Sequence, residues 1–271
     1  MLNTVIGLDL AATFDQPRVG VAILRRQGGV FALVSTALVT STEEILNEIK
    51  GATPPALLAI DAPLKLPVAC GASDAEIAEV ERRWNRPYSY RPWEYLVFED
   101  RQMKREYAIS GRPFSSMVLT YRGQILMGLL QRRGWNLASL PQELGQRSFT
   151  EVFPNLTLGI LQGPRPKDKH QRQAMRQAFV TDLFRRGHNG IRLVNKTGKE
   201  LPTLTTNGDV ADAIICAWTG SLLPKSDVGT GCVGIRLGDM ENGFVMCPYT
   251  AQFERLLKTH PDQLTHSHLV F

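Results

Sequence analysis

TVIGLDLAA, residues 4–12, is a nearly unbroken apolar run with a single carboxylate inside it. A run this short, bounded by turn-forming residues, reads as a buried strand. Asp9 goes against its surroundings, because an ionised carboxylate is costly to bury without a partner. The chain then turns through TFDQP and gives a second apolar stretch, RVGVAILRR. Gly28-Gly29 is a two-residue hairpin signal before a third, VFALVSTALVT. Three strands in a meander are the expectation.

STEEILNEIKG follows with helix signals at both ends: Ser41 or Thr42 to cap it, acids in the first turn, and Gly51 after the last. PPALLAIDAPLKLP then predicts a second buried strand, Ala56 to Asp61, broken by Pro63. A helix between a meander and a buried strand points to an α/β domain with one mixed sheet. Asp61 ends its strand as Asp9 nearly ends the first. If those strands are neighbours, the two carboxylates converge at one sheet edge.

From residue 70 to residue 145 the character changes. SDAEIAEVERRWNR and MVLTYRGQILMGLLQRRG look helical, and the stretch between them is irregular and rich in Arg, Tyr, Trp and Pro. The expectation is a mostly helical insertion within one domain spanning 1–271. SFTEVFPNLTLGIL returns to strand, ending near Phe153-Pro154, with Glu151 just before. In DKHQRQAMRQAFVTDLFRRG, Met175, Phe179 and Leu183 recur at four-residue steps, which predicts an amphipathic helix ended by Gly187. Arg172, Arg176, Arg185 and Arg186 are expected on its charged, exposed face. NGDVADAIICAWTG opens a last long helix, from Asp209 to about Leu223. Short strand-like pieces, CVGIRLG and GFVMCPY, then precede a short helix.

Asp209 and Asp212 lie at i and i+3, so they face the same side of that helix. An acid at the helix start can serve as a cap and offset the macrodipole, which suits Asp209. Asp212 sits one turn in, where capping no longer explains it. Carboxylates converging at a sheet edge suit hard divalent cations, Mg²⁺ or Mn²⁺, and phosphoryl chemistry. The expected catalytic set is Asp9, Asp61, Asp209, Asp212 and Glu151, with the four aspartates as metal ligands.

This order of acids resembles the ribonuclease H-like superfamily, most closely the Holliday-junction resolvases. The motifs GLDLA, AIDAPLKLP, EVFPNLTLGIL and DVADAIICAWTG, over roughly residues 4 to 250, resemble the domain of unknown function 429 family. The resemblance implies a ribonuclease H-like mixed five-stranded sheet flanked by helices, and a nuclease activity. It places Asp9, Asp61, Glu151, Asp209 and Asp212 on the family's acidic positions. Asn155 and Gly208 stand where the family often has acids.

The insertion bears on substrate. RRWNRPYSYRPWEY holds five aromatics and four arginines in residues 82–95. Interleaved Arg and aromatic side chains neutralise phosphates and stack on bases, so Arg86, Arg91, Trp93 and Arg101 are the expected substrate contacts and nucleic acid the expected partner. A net charge of +5 agrees with an anionic partner. Two rivals stay open. SDVGTGC, around Asp227, looks like the second phosphate loop of actin-like ATPases and sugar kinases, and a degenerate site would leave a non-catalytic binding protein. GTGCVG, residues 229–234, fits a dinucleotide fingerprint only in spacing, since an apparent strand follows it where a helix is needed; no nucleotide cofactor is expected. The four cysteines include no Cys-x-x-Cys pair, which argues against a zinc site. With no apolar run near membrane-spanning length and no secretory-type start, the expected location is cytoplasmic, with no membrane partner.

Overall fold

The computed structural model describes residues 2–10, 18–64, 117–225, 234–240 and 243–258. The meander forms as expected: β1 (Thr4–Leu10), β2 (Val19–Gln27) and β3 (Val30–Val39) pair antiparallel in sequence. Gly28 and Gly29, at φ 54° and 88°, make the tight turn between β2 and β3, a conformation that costs glycine little. Helix α1 (Thr42–Lys50) is capped by the Ser41 side chain, which accepts from Glu44 N. It leads to β4 (Ala56–Asp61), which pairs parallel with β1.

The sheet is larger than the five strands expected. Its order is β5-β6-β4-β1-β2-β3-β7, seven strands in all. β6 (Arg147–Glu151) lies parallel to β4. The two additions are short edge strands, β5 (Asn136–Leu137) on β6 and β7 (Leu193–Asn195) on β3. Strands of two or three residues carry no readable alternation, which is why the sequence pattern does not announce them. A separate hairpin of β8 (Gly234–Asp239) and β9 (Gly243–Pro248) joins β6 through a parallel bridge between Val152 and Met246.

Helices cover both faces. Residues 65–116, between β4 and helix α2 (Met117–Gln131), hold most of the expected insertion and lie outside the described residues. α3 (Pro154–Gln162) starts with Pro at its first position, where the missing N–H costs nothing. α4 (Lys169–Arg185) is capped by Asp168, whose side chain accepts from Gln171 N. Near its end the Asp182 carbonyl accepts from both Arg186 N and Gly187 N, with Gly187 at φ 72°. A short α5 (Leu201–Thr205) precedes α6 (Gly208–Gly220), and α7 (Ala251–Lys258) closes the described chain.

Two cores result, one on each sheet face. Val5, Ala22, Leu24, Leu57 and Ala59 pack against α4 and α6, with Trp218 fully buried at the centre. Ile6, Leu8, Val21, Ile23, Leu58 and Ile60 pack on the other face with Ile45 and Ile49 of α1 and Leu126 and Leu130 of α2. Each large apolar side chain buried in this way contributes roughly 1.5–3 kcal/mol.

α6 lies unusually close to the sheet, and glycine is the reason. A Cβ on Gly7 would stand 1.9 Å from Ala213 O, and one on Gly20 would stand 2.0 Å from Asp209 O. Backbone therefore meets backbone at both points. Gly7 and Asp9 point to the same face of β1, because side chains two apart share a face. The helix that presses on Gly7 thus covers the face that carries Asp9. Among the described residues, no helix is long and apolar enough to cross a membrane.

Candidate functional site: an acidic floor beneath a cationic cleft

Asp9 and Asp61 are direct cross-strand partners in the parallel β1–β4 pair. Their carboxyls lie close enough on the same face of the sheet for each to feel the other. Both are pushed well above the ordinary carboxylate range. For Asp9 the causes are burial, then the charges of Asp212, Asp61 and Asp209, with Arg176 opposing. For Asp61 they are burial, then Asp212 and Glu151, offset in part by the hydrogen bond from Asp9 and by Arg176. Asp61 Oδ1 is buried with no hydrogen-bond partner among the described residues.

The late helix delivers the other two aspartates. Asn207 caps α6, its side chain accepting from Asp209 N and Val210 N. This corrects the expectation that Asp209 caps: the capping atom comes two residues earlier. Asp209 is left as a second acid beside Asp212, and both line one cleft. Asp212 is only 9% exposed. Burial raises its pKa, the Arg176 charge and hydrogen bond lower it, and Asp209 raises it. Cys216, one turn further along, is a buried thiol pushed up by burial and by the charges of Asp61, Asp9 and Asp212.

Arg176 is the residue the sequence reading misplaced. It does not belong to a solvated face; its Nε lies 2.6 Å from Asp212 Oδ1, and its side chain is 14% exposed. The signal was present in the spacing. Lys169, Arg172 and Arg176 recur at i, i+3 and i+7, a stripe of cations along one side of α4. That stripe meets Arg165, Arg18, Asn207, Asp209 and Asp212 around a cleft of about 530 Å³. The cleft is acidic at its floor and strongly basic around it.

Glu151 stands apart. It pairs in register with Ile60, which packs in the opposite core, so its side chain leaves the sheet on the other face. It is 1% exposed, and its Oε2 accepts from Leu64 N at 2.9 Å. Its charge still reaches Asp61. It fastens the Ala62–Leu64 turn that leaves the acidic edge, and this positions Asp61 from behind. Arg86, Arg91, Trp93, Arg101 and Asp227 lie outside the described residues. Gly234 opens β8, so a strand follows GTGCVG where a dinucleotide site requires a helix.

Among the described residues, no group of three or more His, Cys, Asp or Glu side chains stands ready to hold a metal ion. The donor chemistry nevertheless fits a hard divalent cation. All candidate donors are carboxylate oxygens, one of them buried and unpartnered, and burial together with mutual repulsion raises the pKa values of Asp9 and Asp61. The positive charge of Arg176 opposes this crowding at both Asp9 and Asp61. A cation at Asp9, Asp61 and Asp212 would relieve that crowding, provided Asp212 turns from Arg176.

No curated protein and no solved structure matches this sequence. A family profile does match it, over residues 7–232, a span that includes all five acids and both glycines beneath α6. That profile carries the description "Protein of unknown function (DUF429)", and the chain belongs to this family.

Proposed function

We propose that the protein is a metal-dependent phosphodiester hydrolase of the nuclease type, built on a ribonuclease H-like sheet. The observation that carries this reading is the register match of Asp9 and Asp61 under the Asp212-bearing face of α6. The strand order β3-β2-β1-β4-β6, antiparallel on one side of β1 and parallel on the other, supports the architecture. Asp9, Asp61 and Asp212 would hold Mg²⁺ or Mn²⁺, with Asp209 beside them. Such an ion supplies Lewis acidity and lowers the pKa of a bound water.

The chain's own residues do the rest. Asp9 and Asp61 present paired oxygens at a fixed spacing, since their backbones are hydrogen-bonded neighbours. Arg176 balances the charge on Asp212 until another cation does so. The cationic cleft draws in a phosphate ester and orients it against the acids. Glu151 holds the turn behind Asp61.

The test is a cleavage screen with Mg²⁺ or Mn²⁺ on branched DNA, RNA–DNA hybrid and single strands, with Asp9→Asn as control. Metal-dependent cleavage that Asp9→Asn abolishes is expected. Cleavage of nothing, or cleavage that survives the substitution, overturns the reading.

One observation favours a second reading. Arg176 already occupies Asp212, which suits a protein that binds a phosphate ester without cutting it. Binding of the same strands with no cleavage under either metal would select that alternative.

A further inference from the structure

The ion pair between Arg176 and Asp212 uses only part of each group. Arg176 meets Asp212 through Nε alone, 2.6 Å from Oδ1. Among the described residues, neither Nη1 nor Nη2 of Arg176 donates to an acceptor, and no donor meets Asp212 Oδ2. An arginine and a carboxylate fit best fork to fork, through two parallel N–H···O bonds. Here the contact is side-on, and the outer edge of the guanidinium is left over. That edge is not sealed in the core, for Arg176 lines the cleft of about 530 Å³ with its side chain 14% exposed.

The edge is also held still. Gln173 and Gln177 flank Arg176 on α4. Both donate through Nε2 to Thr205 O, at 2.6 and 3.3 Å. This pins α4 to the end of α5, just before the Asn207 cap that starts α6. The Nε contact with Asp212 then fixes the guanidinium from the α6 side. A group already fixed in this way loses little freedom when a ligand arrives.

The chemistry of the edge selects the ligand. Two N–H donors in one plane match the oxygens of a phosphate or a carboxylate. Asp209 and Asp212 line the same cleft, and they favour phosphate. A phosphate gripped at two oxygens still turns its other oxygens toward a cation held by the acids. A carboxylate gripped in the same way has none to offer.

We propose that the Nη1–Nη2 edge of Arg176 grips the phosphate of a nucleic-acid strand while Nε holds Asp212. Arg176 is thereby a further substrate-binding residue of the candidate site. The proposal deepens the hydrolase reading and rests on it for which ester is cut. The grip itself needs no metal.

The experiment uses the full chain in EDTA. Phenylglyoxal, an arginine-selective dicarbonyl, closes a ring across the two terminal nitrogens, so it reports on the free edge itself. Labelling at each arginine is read by peptide mass spectrometry, alone, with a short single-stranded oligonucleotide, and with inorganic phosphate. Arg176 is expected to label in the free protein and to be protected by the oligonucleotide. Exposed Arg132, just past α2, should label equally in all three. An Arg176 that never labels, that labels equally with and without the strand, or that inorganic phosphate protects and the strand does not, overturns the grip.

Arg176→Lys separates the fork from the charge. It keeps a cation for Asp212 and removes the planar edge, so its denaturant midpoint should stay close to the parent's. Strand binding should weaken by roughly tenfold or more, with the slope of log affinity against log salt unchanged, because the charge is kept. Strand binding equal to the parent's overturns the grip and leaves Arg176 a structural role only.

The two failures separate cleanly. Metal-dependent cleavage that Asp9→Asn abolishes, with no protection of Arg176 by the strand, keeps the hydrolase and overturns the grip. Protection in EDTA with no cleavage under any metal keeps the grip and overturns the hydrolase.

Discussion

Arg176 Nε stands 2.6 Å from Asp212 Oδ1, and this ion pair ties the fourth helix to the acid-bearing sixth in the middle of the candidate site. Asp212 is buried and lies beside Asp9, Asp61 and Asp209, so the arginine is the local answer to four carboxylates. Removing one partner of a buried pair strands the other. Arg176→Met should therefore destabilise the metal-free protein by on the order of 3 kcal/mol. Mn²⁺ should restore part of the loss, since it would replace the missing charge. Denaturant unfolding in EDTA and with Mn²⁺ measures both effects; unchanged stability in EDTA would sink the claim.

The raised pKa values of Asp9 and Asp61 carry a sign. A carboxyl whose folded pKa lies above its unfolded one stabilises the fold below the unfolded value. That contribution is lost as pH rises through the folded value. His188 acts the other way: burial lowers its pKa, so its contribution fades as pH falls through the usual imidazole range. Comparing the parent with Asp9→Asn separates the two. In EDTA, Asp9→Asn should gain stability over the parent, and the gain should be larger near pH 8 than near pH 5. A gain that is flat with pH, or a loss, would contradict the picture of a charged pair under stress.

Gly7→Ala tests the contact that sets the site's height. The new methyl would meet Ala213 O and Ala217 N, both backbone atoms of one helix, so no side-chain rotation can relieve it. A loss of at least 1–3 kcal/mol is expected, the usual cost of overpacking. Gly28→Ala is the comparison: it meets nothing within 4 Å and is strained only by its φ of +54°. It should cost about 1 kcal/mol or less. Thermal melts of the two variants rank them; equal costs would mean the helix shifts freely.

Asn207→Ala should cost about 1 kcal/mol, because it leaves Asp209 N and Val210 N without their acceptor. Asp209→Asn should leave stability in EDTA within about 0.5 kcal/mol while abolishing metal-dependent cleavage. A large stability loss in Asp209→Asn would return that residue to a structural role.

The parts of the fold that were legible share one property: their pattern is local. TVIGLDL and ALLAID announced themselves as buried strands, and Ser41 and Gly51 bracketed their helix as expected. Asp9 and Asp61 were legible because each interrupts apolar surroundings, a cost visible in one dimension. The edge strands β5 and β7 were not, being too short for any period to show. Nor was the face that Glu151 takes, which depends on the strand register with Ile60. Arg176 was missed for a related reason. An arginine on an amphipathic helix looks the same whether it meets water or another helix, and only tertiary packing decides.

The helix that carries Asp209 and Asp212 is also buried in the core from Val210 through Gly220, with Asp212 reaching the floor of the cleft. It touches the sheet through Gly7 and Gly20, where no side chain intervenes. The chemistry and the fold therefore have no separate melting points. A surface loop can fray while the rest of a protein endures, but these acids cannot part from Asp9 and Asp61 unless the core opens with them. Amide hydrogens along this helix should exchange only through global unfolding. On heating, the site should keep its geometry until the whole domain fails, and lose it in the same cooperative step.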